Sequence, residues 1–146
     1  MRKSIQEFLI SKSFLPLDDV NWNSFRIMHN QPKDEEEKSK MRKRICDNTS
    51  NGNGLYVYEN DRGEILYVGK GKPIKSRLLR HYEKLYRETG EAVRNEFFLA
   101  NQGKLKIYWK ELEQEEDRRI VEQMLDFVLK SKFNEWRKRA QMGKRP

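Results

Sequence analysis

The stretch that decides the fold runs from residue 54 to residue 71 and reads GLYVYENDRGEILYVGKG. Its two apolar runs, residues 55–58 and 65–68, are rich in β-branched and aromatic residues, which are typical of β-strands. Residues 60–63 separate the runs, and Gly63 supplies the positive φ that a tight turn requires. The stretch therefore predicts a β-hairpin.

Successive side chains of a strand point to opposite faces of the sheet. In the first predicted strand, this alternation places Tyr56 and Tyr58 on one face and Leu55 and Val57 on the other. Glycines at positions 69 and 71 interrupt the second strand.

Pro73 can open a helix at its first turn, and the pattern predicts that this helix extends to about Thr89 and stops at Gly90. Its apolar side carries Leu78, Tyr82 and Leu85. The spacing i, i+3, i+4 and i+7 predicts one basic face, which consists of Arg77, Arg80, His81 and Lys84.

The remaining chain alternates between helix and strand patterns. A second helix is predicted over 91–101, and a half-buried strand follows in which Leu105, Ile107 and Trp109 share one face. A long helix is predicted over 114–132. After residue 54 the order is strand, strand, helix, helix, strand, helix, which predicts an α+β fold.

Residues 1–50 are predicted to form an N-terminal helical extension, and residues 51–146 the main domain. A short amphipathic helix is expected near Phe8, and the pattern of residues 34–45 predicts a highly charged helix. The polar and glycine-rich run over 47–54 is typical of a loop, so we place the boundary there.

Composition excludes other classes of protein. The 146 residues fit one compact domain, and no run approaches the roughly 20 apolar residues that a membrane span needs. The apolar run near the N-terminus is too short for a secretory signal, so we expect a cytoplasmic protein. Cys46 is the only cysteine, which excludes an internal disulfide and fits a reducing compartment.

The charge balance favours a polyanionic partner such as nucleic acid, because 31 basic and 23 acidic residues give a net charge of +8 and a pI of about 9.6. Residues 67–80 carry five basic side chains and no acid, and the tail over 130–146 carries seven basic side chains against Glu135. The alternative is a solvated cationic surface that keeps the protein soluble. The expected nucleic-acid-binding residues are Lys72, Lys75, Arg80, Lys138 and Arg139.

Two triplets of the hairpin resemble a known family. Gly54-Leu55-Tyr56 and Tyr67-Val68-Gly69, whose tyrosines stand 11 residues apart, are similar to the paired signature of the GIY-YIG nuclease superfamily. That superfamily includes homing, restriction and repair endonucleases. The departures are Leu55 and Val68, where the family usually has isoleucine, and both remain apolar strand residues.

The resemblance continues as far as about residue 136, whereas nothing in residues 1–50 is matched. Arg77 stands 10 residues after Tyr67, and His81 follows one helical turn later. Glu122 and Asn134, 12 residues apart, match the family's late carboxylate and asparagine. Five elements in the expected order form a specific signal.

The resemblance implies a small three-stranded antiparallel sheet flanked by helices, and the activity of a metal-dependent DNA endonuclease. It implies that Tyr56 is the general base or its relay, and that Tyr67 positions the scissile phosphate. Asn134 would brace Glu122 or the tyrosine. Whether Tyr56 or His81 is the final proton acceptor stays open, and so does the choice between a monomer and a homodimer.

The same residue types suit phosphodiester hydrolysis on chemical grounds alone. The guanidinium of Arg77 matches phosphate oxygens, and Glu122 is the hard oxygen ligand that Mg²⁺ or Mn²⁺ prefers, with one ion per site. A free phenol titrates near 10, so Tyr56 needs nearby cations that lower its pKa. Lys70 and His81 are the candidates for that role.

Each assignment has a structural alternative. The two tyrosines could pack the hairpin, Arg77 and His81 could lie on a solvated helix face, and Glu122 could be a surface acid. The remaining residues of note, Cys46, His29 and the tryptophans, are expected to be structural. The competing function is a DNA- or RNA-binding module that retains the fold without cleaving. The favoured hypothesis is a stand-alone phage or bacterial nuclease of the restriction type.

Overall fold

A computed structural model describes residues 1–87 and 92–143 of the chain. Within these residues the fold is α+β, as expected. Its elements, in chain order, are α1 (Arg2–Ser11), β1 (Asn23–His29), α2 (Glu35–Asp47), β2 (Gly54–Asn60), β3 (Ile65–Gly71), α3 (Ile74–Glu83), α4 (Ala92–Ala100), β4 (Gly103–Glu111), α5 (Glu115–Leu129) and α6 (Lys132–Gln141).

The strands form one antiparallel sheet in the order β1-β4-β2-β3, so β3 is an edge strand. The predicted hairpin is present as β2 and β3, in which Tyr58 lies opposite Tyr67 and Tyr56 lies opposite Gly69. The turn is also as predicted, with Gly63 at a φ of +80°. The sheet of the described residues has four strands, however, and the expectation of three is wrong.

The additional strand, β1, lies in the first fifty residues and pairs with β4 along its whole length. Its buried side chains are Phe25, Ile27 and His29, and they alternate with exposed or half-buried neighbours. The segment therefore obeys the period-2 rule of a strand with one buried face. This strand corrects the expectation that residues 1–50 form a helical extension, because the segment supplies one strand of the common sheet.

Helices cover both faces of the sheet. Tyr56 and Tyr58 point into the core formed with α2, α3, α4 and α6, whereas Leu55 and Val57 point into the core formed with α1 and α5. The alternation predicted for this strand is therefore confirmed. Strand β4 was predicted to bury one face, and it departs from this prediction at Tyr108. This side chain lies on the other face, is only 5% exposed and packs in the core formed with α1 and α5.

Two helices end earlier than predicted. Helix α3 ends at Glu83, and residues 88–91 of the predicted pattern lie outside the described residues. Helix α5 ends at Leu129, because Lys130 adopts the left-handed conformation at a φ of 52°. The hydroxyl of Ser131 then accepts a hydrogen bond from the Asn134 amide and caps α6. The predicted helix over 114–132 is thus divided.

Helix α6 carries the first part of the basic tail, and the last three residues, 144–146, lie outside the described part of the chain. None of the described helices combines the length and the apolar character that crossing a membrane requires.

Candidate active site

The two signature tyrosines lie side by side on the face of the sheet that α3 covers. The rings of Tyr56 on β2 and Tyr67 on β3 are stacked, with centroids 6.0 Å apart and an interplanar angle of 12°. Tyr56 is fully buried and Tyr67 is 5% exposed. Gly69 lies opposite Tyr56 and leaves room for its ring, which explains why a glycine stands in the middle of β3.

His81 on α3 makes a short contact with Tyr56. Its Nε2 lies 2.6 Å from the hydroxyl oxygen of Tyr56, and its Nδ1 lies 3.4 Å from Nζ of Lys84. The imidazole is fully buried, and its ring packs against Phe98 at a centroid distance of 4.8 Å. Burial lowers the pKa of His81 well below 6.5, and the charges of Lys84 and other cations lower it further. His81 is therefore neutral at pH 7.

Arg77, one helical turn before His81, lies beside both tyrosine hydroxyls. Burial raises the pKa of Tyr56 well above 10, and the neighbouring Tyr67 raises it further. The charge of Arg77 and its hydrogen bonding to Tyr56 act in the opposite direction. The cation that favours the phenolate of Tyr56 is thus Arg77, rather than Lys70 or His81 as the sequence suggested.

Lys70 lies on the other face of β3. It pairs with Leu55, whose side chain points toward α5, so Lys70 shares that face and comes close to Glu122 on α5. Burial raises the pKa of Glu122, the charge of Lys70 lowers it, and the neighbouring Asp126 raises it. Arg77 also acts on this carboxyl. The site therefore sits around the edge strand, with α3 on one side and α5 on the other.

The surroundings of Glu122 fit a divalent metal ion. Mg²⁺ commonly binds one or two carboxylates, with water and substrate phosphate completing its shell. Asp126 follows Glu122 by one helical turn, and its Oδ1 is buried without a hydrogen-bond partner in the described part of the chain. A cation there would stabilise the charged form of both groups. No cluster of three potential His, Cys, Asp or Glu ligands occurs among the described residues.

Asn134 is linked to Glu122 through Arg137. Its side-chain oxygen accepts a hydrogen bond of 2.8 Å from Arg137, and the charge of Arg137 lowers the pKa of Glu122. Asn134 thus holds a cation that acts on Glu122, which is an indirect form of the bracing that the resemblance implied.

The predicted nucleic-acid-binding residues lie outside the buried cluster. Lys72 and Arg80 are exposed and Lys75 is half-buried, all on or next to α3, whereas Lys138 and Arg139 are exposed on α6. The predicted basic face of α3 is corrected in one respect. His81 is fully buried and Lys84 is 3% exposed, so these two belong to the core of the site.

Three residues that surround the site were not predicted as site residues from the sequence. Lys84 contacts His81, Arg137 contacts Asn134, and Arg94 lies over the ring of Tyr67 at 5.9 Å. The sequence does contain a signal for Lys84, because residues at i and i+3 of a helix are neighbours on its surface and Lys84 follows His81 at this spacing. Arg94 lies on a helix without a matching motif, and Arg137 lies on α6 just beyond residue 136, where the resemblance ends.

No protein-family model and no curated protein sequence matches this chain.

Proposed function

We propose that this chain is a metal-dependent endonuclease that hydrolyses phosphodiester bonds in DNA, with a site similar to that of GIY-YIG nucleases. One observation carries the proposal. The Tyr56 hydroxyl lies 2.6 Å from His81 Nε2 and beside the guanidinium of Arg77. A tyrosine that only packs a hairpin needs one hydrogen-bond partner, whereas Tyr56 has an imidazole and a guanidinium beside it, and titratable groups that perturb one another in this way cluster at functional sites.

The cations of the site suit a phosphate group. Hydrolysis places negative charge on the equatorial phosphate oxygens, and preorganised donors stabilise that charge. Arg77 offers a planar fork of donors, and the exposed Lys70 offers a second charge on the other side of β3. Tyr67, whose ring stacks on Tyr56, would position the scissile phosphate through its hydroxyl.

Glu122 would hold Mg²⁺ or Mn²⁺, with Asp126 beside it. The ion would supply Lewis-acid stabilisation of the leaving oxygen. The chain itself would help to keep this carboxylate ionised and ready to bind the ion, since the charges of Lys70, Arg77 and Arg137 lower its pKa.

Tyr56, as its phenolate, would accept the proton of the attacking water and become the neutral phenol, which returns a proton to solvent before the next turnover. Burial opposes the phenolate, so the stabilisation from Arg77 is essential to this role. General-base groups contribute about 10²- to 10⁴-fold to a rate. The exposed basic residues would hold the DNA backbone, and we assign this role to Lys72, Lys75, Arg80, Lys138 and Arg139.

A plasmid-nicking assay tests the proposal. The purified chain is expected to convert supercoiled plasmid to nicked or linear DNA with Mg²⁺ and to leave it intact with a chelator. The ratio of nicked to linear product distinguishes a monomer that cuts one strand from a homodimer that cuts both. Binding of DNA without Mg²⁺-dependent cleavage would favour the competing function, a nucleic-acid-binding module.

The matched variants are Tyr56→Phe and Tyr58→Phe. Both remove one hydroxyl from β2, and both side chains are buried in the same core. The hydroxyl of Tyr58 has no hydrogen-bond partner among the described residues, whereas that of Tyr56 contacts His81. We expect Tyr56→Phe to lose most of the single-turnover rate and Tyr58→Phe to retain it. Equal rates in the two variants would make Tyr56 a packing residue.

A further inference from the structure

Lys84 is a buried lysine that contacts His81 at the side of the ring away from Tyr56. It stands at the end of α3 and is only 3% exposed, and its Nζ lies 3.4 Å from Nδ1 of His81. Lysine is rarely buried without a partner that stabilises it, because removing an ammonium group from water costs free energy. The contact between Lys84 and His81 constrains where the imidazole carries its proton.

The two nitrogen contacts together determine which ring nitrogen of His81 carries the proton. An ammonium group has three donors and no acceptor, so Nδ1 must accept in its contact with Lys84. A neutral imidazole carries one proton, which then sits on Nε2. The 2.6 Å contact is consequently an Nε2–H group that donates to the hydroxyl oxygen of Tyr56.

We propose that Lys84 is a positioning residue that fixes His81 in the Nε2–H tautomer and thereby makes His81 a hydrogen-bond donor to the Tyr56 oxygen. The opposite tautomer would direct an N–H group at the Lys84 ammonium and leave Nε2 to accept from Tyr56. Two donors that face each other exclude a hydrogen bond, so this arrangement is disfavoured.

The other groups around His81 keep the imidazole neutral, which the tautomer assignment requires. The charged or titratable neighbours that act on it are Arg77 on its own helix, Arg94 on α4 and His29 on β1, besides Lys84. Tyr58 and Tyr67 lie against its ring on the sheet side, at centroid distances of 5.8 Å and 5.0 Å. The charged neighbours are cations, and a second proton on the ring is therefore unfavourable.

One consequence concerns the reaction and rests on the proposed nuclease function. With Nε2 protonated, His81 cannot take the proton of Tyr56. The hydroxyl oxygen of Tyr56 instead accepts from His81 and from Arg77, and both contacts stabilise a phenolate. The phenolate of Tyr56 is then the proton acceptor of the site, and His81 is the hydrogen-bond donor that supports it.

Nitrogen-15 NMR of the intact chain tests the tautomer directly. The protein has only two histidines, so long-range proton–nitrogen correlation spectra at pH 7 contain two ring patterns, which through-bond assignment links to the backbone. We expect Nε2 of His81 to be protonated and Nδ1 unprotonated, with an excess of about tenfold or more, as a hydrogen bond to a charged group provides. An Nδ1–H pattern in the unmodified protein would overturn the proposal.

Variants separate the effect of Lys84 from that of a nearby charge. Lys84→Met removes the donor and the charge but retains the chain length, and we expect the Nε2–H excess to fall about tenfold. Lys84→Arg should preserve the excess. Arg87→Met removes an exposed cation just beyond Lys84 and should leave the tautomer unchanged.

Two results would count against the role of Lys84. An unchanged pattern in folded Lys84→Met would overturn it, and so would an equal change in Arg87→Met. If Lys84→Met fails to fold, the spectrum of the unmodified protein decides alone. The expected tautomer in a chain that cleaves no DNA would refute the nuclease proposal and leave the assignment of His81 intact.

Discussion

The phenol ring of Tyr56 on β2 covers Gly69 on β3, so closely that a Cβ at position 69 would lie within 3.0 Å of its ring and hydroxyl atoms. The glycine is therefore part of the site, because any larger residue would displace the hydroxyl that contacts His81. The Tyr-Val-Gly triplet thus combines two functions: the tyrosine supplies one ring of the stacked pair, and the glycine makes room for the other.

Gly69→Ala should move the Tyr56 ring and weaken the protein. We expect a loss of about 1–3 kcal/mol of unfolding free energy, which is typical of overpacking a filled core. DNA cleavage should fall as well, because the contact between Tyr56 and His81 is disturbed. Urea denaturation and the nicking assay measure the two effects.

The control for this variant is Gly52→Ala. Its new Cβ would meet the exposed side chain of Glu111, which can move aside. If both alanine variants unfolded at the same urea concentration as the unmodified protein, the close approach at Gly69 would have no energetic consequence.

Glu122→Gln should abolish cleavage and leave DNA binding intact or slightly tighter. The amide keeps the shape of the side chain but loses the charge that would hold the metal. Removing a negative charge next to a phosphate also reduces repulsion. We expect the single-turnover rate to fall by at least about 10²-fold, the usual result of losing one transition-state stabiliser. Fluorescence anisotropy with labelled duplex measures binding separately.

Glu116→Gln is the matched control, because Glu116 is an exposed acid in the first turn of the same helix. Near-normal Mg²⁺-dependent cleavage by Glu122→Gln would remove Glu122 from the metal site.

The parts of the fold that follow local rules could be predicted from the sequence. The alternation of Tyr56 and Tyr58 with Leu55 and Val57 correctly assigned these residues to two faces. Strand β1 was not predicted, because it pairs with β4, which is distant in the sequence. Its buried side is marked by Phe25, Ile27 and His29 alone. Local patterns carry no information on such distant pairing.

The composition of the site was predicted better than its electrostatics. Tyr56, His81 and Arg77 come together as the spacing suggested. The burial of Lys84 could not be predicted, because a lysine on a helix is normally solvated, whereas this one is 3% exposed. Burial also makes His81 neutral, so His81 acts on Tyr56 through a hydrogen bond and not through a positive charge.

Neutralising Lys138 and Arg139 together, as Lys138→Gln and Arg139→Gln, should weaken DNA binding without affecting the chemical step. Both are exposed on α6 and belong to the basic tail. Each lost phosphate contact lowers the slope of log affinity against log salt by about 0.9, so the double variant should lose up to about 1.8. Rates at saturating DNA should stay within about twofold, since no charge contact with the reacting phosphate is lost.

The control pair is Lys3→Gln and Lys12→Gln, two exposed lysines at α1, which packs against the second core. An equal loss of slope in both double variants would mean that only net charge matters.

His29 should make the protein sensitive to mild acid. It is fully buried at the end of β1, neither ring nitrogen has a hydrogen-bond partner among the described residues, and burial lowers its pKa from 6.5 to about 3. Between pH 6.5 and 3 the unfolded chain therefore binds a proton that the folded chain does not. The stability is complete above pH 6.5 and falls as the pH falls, by about 2 kcal/mol at pH 5 from this residue.

His29→Phe isolates this contribution, because phenylalanine fills a similar space beside Tyr58 and Phe98 and does not titrate. We expect the difference in unfolding free energy between pH 7 and pH 5 to be about 2 kcal/mol smaller in the variant. His81, whose pKa is also lowered, contributes equally to both proteins and cancels. Glu64, with a pKa lowered to about 2, loses its stabilisation only below pH 4.5, outside the measured range. The same pH dependence in both proteins would show that His29 is not the acid-sensitive group.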